Sequence, residues 1–171
     1  TISSLSQEQY LSYKERLLNK LATYYDNICF DSFGQKSVFS TWSVNNFFKE
    51  ASELPEVLFG DYWCDNGGRP SILVKYLNSH LVDFEAFSQK NIRIPTDVFK
   101  NPSTLQTMDQ NVLMTQCGYL SLKKGNMLNK KAVLVIPNLE LRKALSRLTL
   151  YKVFGSFFTN ECGDLEDFIQ N

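Results

Sequence analysis

The 171-residue chain contains a single histidine, His80, and its four cysteines are far apart at Cys29, Cys64, Cys117 and Cys162. One imidazole cannot build a multi-histidine metal site, and without a CxxC pair there is no compact thiolate set for zinc. Four isolated cysteines in mostly apolar settings read as reduced core thiols of a cytoplasmic protein; two disulfides in a secreted protein are the other reading. Charge of either sign is also missing in the sum: 18 Lys plus Arg balance 18 Asp plus Glu. A global electrostatic pull toward nucleic acid or a membrane surface is therefore not expected. No apolar run approaches the ~18 residues of a membrane span. The opening TISSLSQEQY has neither the basic region nor the apolar stretch of a signal peptide. It also has no initiating Met, so the chain reads as a piece of something longer.

GxGxxG is absent, and the nearest approach to a Walker A loop, Gly34-Gln35-Lys36-Ser37, lacks both the upstream Gly and the Gly-Lys pair that grip a phosphate. A Ser-His-Asp or Cys-His system would depend on His80, which falls at the end of a predicted helix with no nucleophile elbow in the chain. The carboxylate groups Glu50/Glu53/Glu56, Asp61/Asp65 and Glu161/Asp164/Glu166/Asp167 lie on no convincing strand and read as solvated faces or helix starts. In YWCDNGGRPSILVKYL the glycines read as a turn and Pro70 as a helix start.

What is present is core material, with hydrophobic residues at 43%, and a strong local patterning. Ser6 with Gln9 forms a capping-box signature ahead of a helix over 7–25, its apolar face Tyr10, Leu17, Leu18, Leu21, Tyr24 and Tyr25. Asn27 and Gly34 mark turn chemistry. A second helix follows Ser40, with Trp42, Val44, Phe47, Phe48 and Ala51 on its buried side. Another begins at Pro70 and buries Ile72, Leu73, Tyr76 and Leu77. VDFEAFSQK is a short helix and IRIP a short strand. Residues 103–117 read as a helix using Leu105, Met108, Val112, Leu113 and Gln116, closed by Gly118. Runs at 119–122 and 132–136 predict a hairpin. Asn138 caps a further helix with Leu139, Leu141, Leu145 and Leu148 inside, and GDLEDFIQN is a last acidic helical piece.

The expected fold is therefore mainly α: a helical region over 1–95, then a winged-helix-like unit of helix, β-hairpin and helix over 96–171, packed as one unit. Between Tyr119 and Lys152 eight basic residues face one acid, Glu140, a surplus of seven inside a chain whose net charge is zero. Lys123, Lys124, Lys130, Lys131, Arg142, Lys143 and Arg147 are accordingly candidates for contacting nucleic-acid phosphates. Base-specific reading is not expected, because the 103–117 helix has no Lys or Arg and carries Asp109. A solvated basic face is the plainer alternative.

Five strings in order resemble one family. They are YYDNICF, SVFSTWSVNNFF, YWCDNGGRPSILVKYL, MTQCGYLSLK and LVIPNLELRKAL. Together they resemble the bacterial AAA-ATPase-like proteins, whose ATPase module is commonly followed by a PD-(D/E)XK nuclease-like domain. The residues carrying the resemblance are Tyr25, Asp26, Phe30, Trp42, Ser43, Tyr62, Trp63, Pro70, Ser71, Gly118, Tyr119, Pro137 and Asn138. Asn27 stands where the family has Gly, Ser40-Thr41 where it has Asn-Pro, and Arg69 where it has a small residue. The resemblance implies the region after the nucleotide-binding core, a helical lid (here the lid-like region over 1–95) followed by the winged-helix part, before the nuclease-like domain. ATP and Mg would belong to that upstream core, nuclease carboxylates to a downstream domain, and no catalytic, cofactor or metal-binding residue to this chain. The implied partners are the other domains of the parent protein, with no membrane involved.

Overall fold

Where Ser6 can accept from the Gln9 N–H (3.3 Å) and Gln9 Oε1 from the Ser6 N–H (2.9 Å), the first helix begins, and α1 runs Gln7–Tyr25 as the capping box predicts. The computed structural model describes residues 6–29, 31, 33–53, 59–65, 70–100, 104–126 and 130–154. After α1 the chain turns at Asn27, whose φ is 69°, and makes a small hairpin, β1 (Ile28–Cys29) with β2 (Ser37–Val38). Ser40 then caps α2 (Thr41–Glu53), accepting from the Ser43 N–H. A single turn, α3 (Tyr62–Asp65), and α4 (Ser71–Ser79) follow, the latter starting directly after Pro70. β3 (Ile92–Pro95), α5 (Gln110–Gln116), β4 (Ser121–Asn126), β5 (Lys131–Val135) and α6 (Leu139–Phe154) complete the order.

The architecture is mixed α/β with helices predominating, carrying two small antiparallel sheets, where the sequence suggested a mainly α chain. The difference has two sources. The 26–37 turn region contains a paired hairpin, and the IRIP strand does not stand alone. It pairs with β5 in a three-stranded sheet of order β3-β5-β4, Ile92 opposite Leu134 and Pro95 opposite Lys131. Residues on both sides of position 95 thus share one sheet.

Two apolar clusters hold these elements. The smaller joins Leu21 and Tyr25 of α1 to Phe47 of α2 and Tyr62 of α3. The larger takes Leu73, Tyr76 and Leu77 from α4, Ile92 and Ile94 from β3, Leu113 and Met114 from α5, Leu134 from β5 and Leu145 and Leu148 from α6. Nine residues are too few for a helix to persist alone in water. Burial of Leu73, Tyr76 and Leu77 supplies α4 with on the order of 5 kcal/mol, enough to decide the matter.

Several expected faces are corrected. Only the C-terminal part of α1 packs, so Tyr10 and Leu18 are exposed while Leu21 and Tyr25 are buried. On α2 Phe47 is buried with Val44 and Ala51 packed beside it, as expected, but Ser43 is buried too, and Trp42 and Phe48 at the edges of the face are about half exposed (50% and 52%). Ile72 likewise faces out. The 103–117 helix begins only at Gln110: the Asp109 carboxylate accepts from the Asn111 and Val112 N–H groups and so starts the helix there, after a Thr104–Thr107 turn. VDFEAFSQK contributes a 3₁₀ turn, Glu85–Ser88, rather than an α-helix. The expected acidic C-terminal helix, the Asn66-Gly67-Gly68 turn and Phe30 lie outside the described residues.

Candidate functional site

The strings that carry the family resemblance come together around one buried carboxyl group. Asn138 ends the β5–α6 connection and caps α6, its Oδ1 accepting from the Leu141 N–H at 3.0 Å. Its Nδ2 donates to the Asp26 carbonyl at 2.9 Å, tying α6 to the end of α1. This cap places Glu140 in the first turn of α6, fully buried (0% exposed). The Ser43 hydroxyl donates to Glu140 Oε2 at 2.7 Å and the Trp63 main-chain N–H to Oε1 at 2.8 Å. Ser43 in turn pairs with Ser40 (2.8 Å). Burying a carboxyl is expensive unless its lone pairs are used, and here they are met from two separate helices.

The remaining motif residues build the walls. Tyr25 is buried and donates to the Gly60 carbonyl; Tyr62 donates to Glu50 Oε2 at 2.8 Å. Burial above all holds both phenols well above their ordinary range, with Tyr62 and Glu140 adding to it at Tyr25 and the Glu50 bond adding at Tyr62. Both therefore act as donors and not as bases. Gly118 sits at φ 82°, and a Cβ there would come 2.7 Å from the Trp63 ring. Tyr119 and Pro137 are buried, Pro70 precedes the first turn of α4, and Ser71 is exposed. Trp42 points outward from the hub. Ser40 is legible in the sequence as the α2 cap, whereas Glu140 and Asp61 are not legible as members of this junction; the available signal is Glu140 as the lone acid in a basic stretch, two residues beyond a cap.

The basic window is split by the fold. Lys143 and Arg147 turn inward to Asp61, at 3.5 Å and 3.0 Å, and Lys143 also lies 5.9 Å from the Tyr24 ring centre. Lys152 donates to the Leu77 carbonyl. Lys130 pairs with Asp97 at 3.9 Å on the surface. Lys123, Lys124, Lys131 and Arg142 are exposed. The structure thus brings together four of the seven candidate cations as open charge.

The loop rejected as a phosphate grip does wrap an anion, its own. The Asp31 carboxylate accepts from the main-chain N–H groups of Lys36 (2.7 Å), Gln35 (2.9 Å) and Phe33 (2.9 Å). The Lys36 N–H first, then the Cys29 thiol and the other amides, draw its pKa down to about 2. A depressed carboxylate stabilises above its unfolded value, 3.8, and the gain is lost as pH falls through the folded one. In an acid titration followed by amide NMR, the Gln35 and Lys36 signals are expected to move with a midpoint near pH 2 and to be flat in Asp31→Asn. A midpoint near 4 would refute the loop geometry.

Beside this loop an apolar groove of about 920 Å³ is walled by Val38, Phe39, Trp42, Phe99, Cys117 and Leu122. It offers apolar contact and no reactive thiol. Burial first, then the bond to Asp31, pushes the Cys29 thiol up, and burial does the same at Cys117. Both cysteines are free. His80 ends α4, stacked 4.0 Å above Tyr76, its ring nitrogens 3.1 Å from the Tyr76 and Gln106 carbonyls. Among the described residues no group of three or more His, Cys, Asp or Glu could hold a metal ion, and no helix is long and apolar enough to cross a membrane. Comparisons with protein-family models, with curated proteins and with solved structures find no match to this chain.

Proposed function

We propose that this chain is a non-catalytic lid and winged-helix-like module of a cytoplasmic AAA-ATPase-like protein, coupling a nucleotide-binding core to a downstream nuclease-like domain. The observation that carries the proposal is where the resembling strings meet. YYD, FSTWS, YW and IPNLE, from Tyr25 to Glu140, hydrogen-bond to one another through Asp26–Asn138, Ser43–Glu140 and Trp63–Glu140. A signature spent on a buried junction suits a module that transmits movement as a rigid body, with hinges outside it. The winged-helix layout is supported by the succession α4, β3, α5, then a β4–β5 hairpin closing back on β3. On this reading ATP and Mg act in the preceding core and not here.

The test is phosphate release from Mg-ATP by the purified chain. No turnover above the buffer blank is expected. Turnover that scales with chain concentration through successive purification steps would overturn the non-catalytic reading.

A further inference from the structure

Strand register sorts the basic side chains in a way their order along the chain does not. Along β5 exposure alternates, with Lys131 exposed, Ala132 buried, Val133 partly exposed and Leu134 buried. The odd-numbered residues therefore point away from the core. Arg93 on β3 and Lys124 on β4 are the register partners of Val133 on its two sides. All three share the outward face as one row across the sheet. Lys131 lies one row further along the same face. Lys123 falls at the β4 irregularity between Leu122 and Lys124 and donates to Asn91 Oδ1 at 3.3 Å.

Past Val135 this face opens into a cleft of about 680 Å³ whose lining includes Lys90, Lys123 and Arg142. Lys90, Arg93, Lys123, Lys124, Lys131 and Arg142 are all exposed. None of the six has an ion pair among the described residues. The three strands contribute no acid. Lys90 and Arg93 lie well outside the basic window of the sequence. They join it only because β3 pairs with β5.

We infer that this outer sheet face, continuing into the cleft beside α6, binds the phosphate backbone of a nucleic-acid strand. Neighbouring strands are ~4.8 Å apart and alternate residues along one strand ~6.7 Å, so the cations form a flat array. They are too dispersed to converge on one small anion and instead match a chain of repeating charges. The cleft adds neutral donors, Asn27, Gln35, Ser37 and Gln89, suited to phosphate and sugar oxygens. Phe33, 54% exposed, stands beside the end of β4, where its carbonyl accepts from the Gly125 N–H, and it offers a ring for a base to stack on. The inference stands apart from the ATPase-related reading, since it uses none of the hub residues.

The experiment is fluorescence anisotropy of the full chain with a labelled oligothymidylate of about 20 nucleotides across a salt series. Four phosphate contacts predict a log K against log salt slope of about −3 for a single strand. The double variant Arg93→Gln/Lys124→Gln is expected to lower the magnitude of the slope by one to two and weaken low-salt binding about tenfold or more. Lys14→Gln/Arg16→Gln on α1, with the same change in net charge, is expected to bind like the parent. Absence of binding at low salt, or equal losses in the two double variants, overturns the proposal. Displacement of the oligonucleotide by polyglutamate at matched charge would overturn it in favour of an acidic protein surface. All four residues are exposed, so circular dichroism is expected to show both variants folded.

Discussion

Glu140→Ala is expected to be the most damaging single change in this chain, lowering the melting temperature by about 10 °C. The variant deletes a fully buried carboxyl and strands two donors, the buried Ser43 hydroxyl and the partly buried Trp63 main-chain N–H. Each orphaned donor costs about 1–3 kcal/mol, and the vacated volume adds to that. A total of about 4 kcal/mol follows, a large share of a domain's ~5–15 kcal/mol. Glu140→Gln separates the hydrogen-bonding role from the volume. It keeps one acceptor oxygen but turns an NH₂ toward Ser43 or Trp63. Ser43 can accept from it; the Trp63 N–H cannot. Glutamine is therefore expected to fall between the parent and alanine. Thermal unfolding followed by circular dichroism reads all three. A glutamine variant as damaged as alanine, or an alanine variant within 2 °C of the parent, is incompatible with the hub as described.

Gly118→Ala is expected to cost about 3 kcal/mol for the addition of one methyl group. Part comes from the left-handed backbone, φ 82°, which an L side chain occupies at a cost of about 1–2 kcal/mol. The rest comes from contact, since the new Cβ would lie 2.7 Å from Trp63 Cζ2 and 2.8 Å from Cη2. Those two parts can be separated by a double-mutant cycle. In a Trp63→Leu background the ring is gone and only the backbone term remains, so the same glycine change is expected to cost less by at least about 1 kcal/mol. Equal costs in both backgrounds would place the entire effect in the backbone. Chemical denaturation midpoints at constant slope give the needed free energies.

Both changes fall on motif strings, and the two positions differ in how far the sequence announced them. Gly118 was legible as a helix stop because the residues that decide it, the end of α5 and the turn to Tyr119, are adjacent in the chain. The same holds for the Ser6/Gln9 capping box, the Asn138 cap, the positive φ at Asn27 and Gly34 and the IRIP strand. The caps are settled by side chains bonding to main chain within three residues and the turns by which residues tolerate a left-handed backbone, while the IRIP strand is legible by composition and completed by its pairing with β5. The helix over 103–117 failed at its start for a related reason. Asp109 could have been read as its cap, but the apolar periodicity continues through Leu105 and Met108, which pack against the larger core from a turn.

Glu140 was visible only as a unit of charge. Its role depends on Ser43 and Trp63, 97 and 77 residues away. Lys143 and Arg147 read in the sequence as surface cations, and nothing near them in the chain indicates that Asp61 takes them inward. On α2, Trp42 looked like a core residue by type, yet Ser43 occupies the buried position because a partner carboxyl waits there.

The sequence by itself determined the local grammar: where most helices start and stop, which segments extend, that the net charge is zero, and that neither a Walker A loop nor a multi-histidine metal set is present. The tertiary structure decided which polar side chains face each other across the core and which cations share a surface. The physical reason is the range of the interactions. Caps and turns are made within four residues, so the chain order contains them. The Glu140 hub and the Arg93–Val133–Lys124 row are made between segments that only burial and strand pairing bring together.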